Sequence, residues 1–68
     1  MQQAIKKLAK NLEELRSERG ITQVEVADKM EVDKSYISKL EAGKGNPTLN
    51  TLDRLAVILN VEVSDLLK

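Results

Sequence analysis

Cysteine and histidine are both missing from the 68 residues, which excludes disulfide staples, thiolate nucleophiles, imidazole bases and the usual zinc or haem ligands. Tyr36 is the sole aromatic residue and Pro47 the sole proline, so any core must be aliphatic. Asp53, Asp65 and the glutamates show no clustered spacing with a partner base. The chain is therefore expected to be no enzyme and to need no cofactor or metal. An excess of positive charge is also missing: 11 Lys and Arg balance 11 Asp and Glu, so the global field that most simply marks a nucleic-acid binder is absent. No apolar run approaches the ~20 residues that span a bilayer, and the polar start does not resemble a secretory leader. A cytoplasmic location, with no membrane and no small-molecule substrate, is the expectation. At 68 residues the chain has room for one domain, residues 1–68, and not for a second core.

What is present is helix grammar. Ile5, Leu8, Leu12 and Leu15 recur at steps of three and four, forming one stripe of an amphipathic helix over residues 2–19 that Gly20 can close in the left-handed region. Thr22 precedes Glu25 by three positions, a capping box that opens a second helix at about Gln23–Met30 with Val24, Ala27 and Met30 inward and Val26 alongside. Asp33 is a suitable N-cap for a third helix over Lys34–Ala42, closed by Gly43. Three residues between the second and third helices force a sharp turn, the spacing of a helix-turn-helix unit at about 22–42. Thr48 should cap a fourth helix, Leu49–Leu59, carrying Leu52, Leu55, Ala56 and Leu59, with Asn60 ending it. A short last helix, Glu62–Leu67, offers Val63, Leu66 and Leu67. The fold class expected is all-α, a compact bundle of about five short helices.

Charge is polarised beneath the neutral sum. Lys6, Lys7 and Lys10 meet no acid in the first ten residues, whereas Asp53, Glu62 and Asp65 outnumber Arg54 and Lys68 from position 47 onward. Ile37, flanked by Val32 and Leu40, marks the inward side of the third helix. The opposite side then carries Lys34, Ser35, Ser38 and Lys39, with no carboxylate, which is the composition a polyanion requires. Ala27 stands where the second and third helices approach too closely for a larger side chain.

At Arg19-Gly20-Ile21-Thr22-Gln23, Ala27, Val32, Ile37, Leu40-Glu41, Gly43-Lys44 and Asn46-Pro47-Thr48-Leu49, the sequence resembles the phage-repressor, or Xre-like, helix-turn-helix family. The resemblance covers nearly the whole chain and fixes residue types at many spacings together. It implies a bundle of about five helices whose third lies in the DNA major groove. By that resemblance Lys34, Ser35, Ser38 and Lys39 read base edges, with lysine donating to guanine acceptors and with Ser38 and Tyr36 nearer the backbone. It implies that Gln23 donates to a phosphate while helping to orient the first recognition residue, and that Lys44, Asn46 and Tyr36 reach neighbouring phosphates. The segment Gly43-Lys44-Gly45-Asn46 also reads simply as a turn, and Tyr36 as a half-buried surface residue. Arg16 and Glu41 fall where the family often joins its first and third helices by an ion pair.

Two departures stand out. Glu31 occupies the turn position where the family commonly has glycine, and the neutral charge implies weak nonspecific DNA binding that two domains on one operator would offset. The expected function is sequence-specific transcriptional regulation, chiefly repression, by a homodimer on a palindromic or near-palindromic operator in double-stranded DNA. Val57, Val61, Val63 and Leu67 either form the dimer patch or complete the monomer core. The rival reading is a protein-interaction module on the same scaffold, such as an antitoxin or a polymerase-binding adaptor.

Overall fold

The computed structural model describes residues 2–68, and these contain five helices and no strand: α1 (Gln2–Glu18), α2 (Gln23–Met30), α3 (Lys34–Glu41), α4 (Leu49–Leu59) and α5 (Val63–Leu67). The buried apolar side chains form one cluster to which every helix contributes, with Leu12, Val26, Ile37, Leu55, Leu59 and Leu66 fully sealed. α3 sits against α1 and α2, while α5 closes the far side of the bundle against α1 and α4.

Four of the helices end in the same way. Gly20, Glu31, Gly43 and Asn60 all adopt positive φ, between 57° and 77°. In each case the next residue donates its N–H back to the carbonyl five positions earlier: Ile21 to Arg16, Val32 to Ala27, Lys44 to Lys39 and Val61 to Ala56. This is the Schellman lock, which satisfies two of the otherwise orphaned last carbonyls. Ile21, Val32 and Val61 then fold onto the core, so the lock also aims the chain inward.

Helix starts are less uniform. Thr22 and Glu25 form the full capping box, Glu25 Oε1 accepting from the Thr22 N–H at 2.9 Å and Thr22 Oγ1 from the Glu25 N–H at 3.1 Å. Those hydrogen bonds hold the Glu25 carboxyl below its usual pKa. Thr48 caps α4 through the Thr51 N–H. Asp33 has the extended N-cap backbone, but its side chain makes no cap bond, so the capping role read for it holds in position only. α3 also stops one residue earlier than expected, with Ala42 as its C-cap.

Two core assignments change, and one alternative is decided. Val24 is 48% exposed. At about 100° per residue it lies roughly 160° around α2 from Val26, and Val26 with Ala27 and Met30 takes the inward side. Leu67 is partly exposed beyond the sealed Leu66. Val61 and Val63 are half-buried and packed on the core, which is the core-completing role for both.

Glu31 is the more strained of the two non-glycine residues among these locks: its φ of 59° costs an ordinary side chain about 1–2 kcal/mol, whereas asparagine, as at Asn60, tolerates that region, and the Glu31 side chain only meets solvent. Glu31→Gly should therefore stabilise the protein by about 0.5–1 kcal/mol, after the entropy that glycine restores to the unfolded chain. For a chain of this size that is a rise of several degrees in a thermal melt. An unchanged or lower melting temperature would count against strain at this turn.

Candidate nucleic-acid interface

The link Glu31-Val32-Asp33 turns the chain so that α3 crosses α2, and Ala27 is buried where the two helices meet. Ile37 and Leu40 anchor α3 inward. Opposite them Lys34, Ser35 and Lys39 are exposed, and Ala42 lies on the same line as Ser35 and Lys39. Small side chains at Ser35 and Ala42, with lysines beside them, let the helix backbone approach a groove floor while cations reach its walls. The exposed acids Glu25, Asp28 and Glu31 lie on α2 and its end. The two surfaces of the unit thus differ in sign.

A polar cluster fixes the α3 end of this unit. Glu41 Oε2 accepts from Arg16 Nε at 2.6 Å, and Glu41 Oε1 accepts from Arg16 Nη2 at 3.0 Å. Arg16 Nη1 also donates to the Ile21 carbonyl at 2.9 Å, so one guanidinium joins α1, the start of α2 and α3. The hydrogen bond to Glu41, opposed only in part by desolvation, raises the Arg16 pKa further above its already high value. The pair expected between Arg16 and Glu41 is therefore present and largely sheltered, with side-chain exposures of 15% and 4%.

Gln23, the first residue of α2, enters the same cluster. Its Nε2 donates to Glu41 Oε1 at 2.9 Å and its Oε1 accepts from Ser38 Oγ at 2.8 Å. Gln23 is expected to help orient the first recognition residue; in the structure its amide is held by Ser38 and by Glu41. Ser38 itself is half-buried, unlike Lys34, Ser35 and Lys39. Its hydroxyl proton is committed to Gln23, so it does not stand with the other three as a free donor to base edges. Periodicity placed it on the outward side because 3.6-residue geometry puts it next to Lys34. What periodicity cannot show is that the start of α2 covers that flank.

Lys44 and Asn46 are exposed on the loop after α3. Tyr36 is half-buried against the core, and its hydroxyl lies 3.4 Å from Thr51 Oγ1, beside the Thr48 cap of α4. Its ring thus has a structural role that leaves the hydroxyl near the start of α4. Among the four apolar dimer candidates, Val57 is 79% exposed and Leu67 39%, but they border different grooves. Val57 lies with Lys29, Arg54 and Ile58, and Leu67 with Ala4, Ile5 and Pro47.

Two residues escaped the sequence reading. Leu49 is 77% exposed at the first position of α4, four and eight residues before Asp53 and Val57, so all three share one outward line. The i, i+4, i+8 spacing was there to be read, but leucine alone signals core. Arg54 donates from Nη2 to the Met30 carbonyl at 2.7 Å, tying α4 to the end of α2. Nothing in the local pattern announces that bond.

The family model described as "Helix-turn-helix" matches residues 12–66. The HTH-type transcriptional regulator DdrOP3 of Deinococcus deserti is 42% identical over 91% of this chain and 48% of its own length. The immunity repressor protein of Bacillus phage phi105 is 35% identical over 84% of this chain and 40% of its own. The chain thus spans about half the length, or less, of these two relatives. Among solved structures, the restriction-modification controller protein C.AhdI from Aeromonas hydrophila superposes with a TM-score of 0.85 at 32% identity, over 91% of this chain and 94% of that one. Matched by the family model over residues 12–66, this chain belongs to the helix-turn-helix family.

Proposed function

We propose that the chain is the DNA-binding part of a sequence-specific transcriptional regulator, chiefly a repressor, acting in the cytoplasm with α3 in the major groove of double-stranded DNA. The observation that carries this reading is the outward side of α3: Lys34, Ser35 and Lys39 exposed, no carboxylate among them, and the helix held rigidly from behind by Ile37, Leu40 and the Glu41–Arg16 pair. The relatives' names support the same reading. No helix among the described residues is long and apolar enough to cross a membrane.

Because the net charge is zero, attraction to any duplex is weak and two copies on one operator supply the affinity. The dimer places two α3 helices about 34 Å apart on successive major grooves of a palindromic site. Val57 on α4 is the exposed apolar residue around which that contact is proposed. Sedimentation showing only monomer at tens of micromolar, with and without operator, would remove the dimer from this reading.

The DNA reading is tested by selecting bound sequences from a random pool and titrating salt. Lys39→Ala should cost about 1–3 kcal/mol at particular base positions, whereas Lys44→Ala should weaken every sequence alike and flatten the salt slope by about one unit. A protein-interaction module would show no salt-dependent duplex binding at all.

A further inference from the structure

From the hydrogen bonds at the start of α2 we infer that Ser38 is a positioning residue for phosphate contact, acting through Gln23, and not a reader of bases. This rests on the DNA-binding reading above. A glutamine amide has one acceptor oxygen and two N–H donors. In Gln23 the oxygen accepts from Ser38 Oγ at 2.8 Å, and one N–H is given to Glu41 Oε1 at 2.9 Å. The amide is thereby held at both ends and its orientation is set by chemistry. A flipped amide would place its oxygen against the Glu41 carboxylate and two acceptors would face each other. The second N–H has no hydrogen-bond partner among the described residues, and it sits on the first residue of α2, where a strand of the duplex would pass when α3 lies in the groove. Ser38 is half-buried in this arrangement while its neighbours Lys34, Ser35 and Lys39 stand in solvent.

Since Glu41 is held by Arg16, the chain of bonds runs Arg16, Glu41, Gln23, Ser38 and joins three helices at the residue proposed to meet the phosphate. Ser38 closes it from the α3 side. Without its hydroxyl, Gln23 keeps one anchor and can swing about its terminal torsion, so phosphate contact is weakened without any change in which bases α3 reads.

The test is a binding cycle with Ser38→Ala, Gln23→Ala and the double variant, measured on a selected operator and on random duplex, with a thermal melt of each. Ser38→Ala should weaken both duplexes alike, by about threefold to tenfold, as expected for a neutral hydrogen bond. In the Gln23→Ala background the same change should cost nothing further, because the residue it acts through has gone. Ser38→Thr, which keeps the donor, should bind like the wild type, and Ser38→Cys, a weak donor of similar size, like alanine. The last two variants keep the proposal open to refutation if Ser38→Ala folds poorly. A loss confined to one base position, or an equal loss with and without Gln23, would overturn it. Failure of the wild-type protein to bind any duplex would instead overturn the DNA-binding reading itself.

Discussion

Arg16→Met is expected to destabilise the protein by about 3–5 kcal/mol, and the combined Arg16→Met, Glu41→Leu variant by far less. The Glu41 side chain is only 4% exposed, and three donors converge on it: two from Arg16, at 2.6 and 3.0 Å, and one from Gln23, at 2.9 Å. Removing the guanidinium leaves a carboxylate out of water with a single amide for company. Most of the expected loss is the desolvation of that stranded charge, not the attraction of the pair, so replacing both partners by apolar side chains should restore much of it. The two single variants are not equivalent. After Glu41→Leu the arginine keeps its bond to the Ile21 carbonyl and is itself 15% exposed, so its charge retains some water. Glu41→Leu should therefore be the milder change. A chain of 68 residues has a total stability of about 3–10 kcal/mol, so a loss of this size removes about a third of it at the upper end and all of it at the lower end. Thermal and denaturant melts of the four proteins decide the matter. Losses under about 1 kcal/mol for both single variants would mean that the pair behaves as an exposed ion pair.

How much of this was written in the order of the residues depends on the range of the interaction. Thr22 with Glu25, Thr48 at the start of α4 and Gly20, Gly43 and Asn60 at helix ends act within four or five positions, and each does in the structure what its chemistry implies. Ile37 and Leu40 set the inward side of α3 through period alone, and the outward side followed by elimination. Interactions between helices were not legible in this way. Arg54 reaches across to the Met30 carbonyl, and Asn11 Nδ2 donates to the Leu66 and Lys68 carbonyls over more than fifty positions. Both bonds depend on how helices are stacked, which no local pattern encodes. Ser38 shows the same limit within the site: its side of the helix was read correctly, but its neighbour was not. Arg16 and Glu41 were paired through family resemblance, since twenty-five intervening positions give periodicity nothing to act on. Val24 failed for a simpler reason: two valines two positions apart, on nearly opposite sides of an eight-residue helix, competed for the inside, and Val26 took it.

Ser35→Glu is expected to leave the fold at least as stable as it is and to weaken DNA binding by about 100-fold or more. The two effects have opposite signs for one electrostatic reason each. Ser35 is exposed on the first turn of α3, a turn with no acid in it and with no side-chain hydrogen bond from its N-cap. A carboxylate there faces the positive end of the helix dipole and should contribute about 0.3–1 kcal/mol to stability. Against DNA the same carboxylate enters the groove between two phosphate strands, on the line that Ser35 shares with Lys39 and Ala42. Like charges brought together in a docked interface cost several kcal/mol, and about 2.7 kcal/mol already amounts to 100-fold. Ser64→Glu is the control, since it makes the same change of charge at an exposed position of α5, the helix that packs on α1 and α4 away from α3. If only the change in net charge mattered, the two variants would bind DNA equally weakly. If α3 enters the groove, Ser64→Glu should stay within a few-fold of the wild type while Ser35→Glu melts no lower and no longer binds. Binding by Ser35→Glu at the wild-type level would show that this side of α3 does not meet DNA, and the placement of Lys34 and Lys39 as base readers would fall with it.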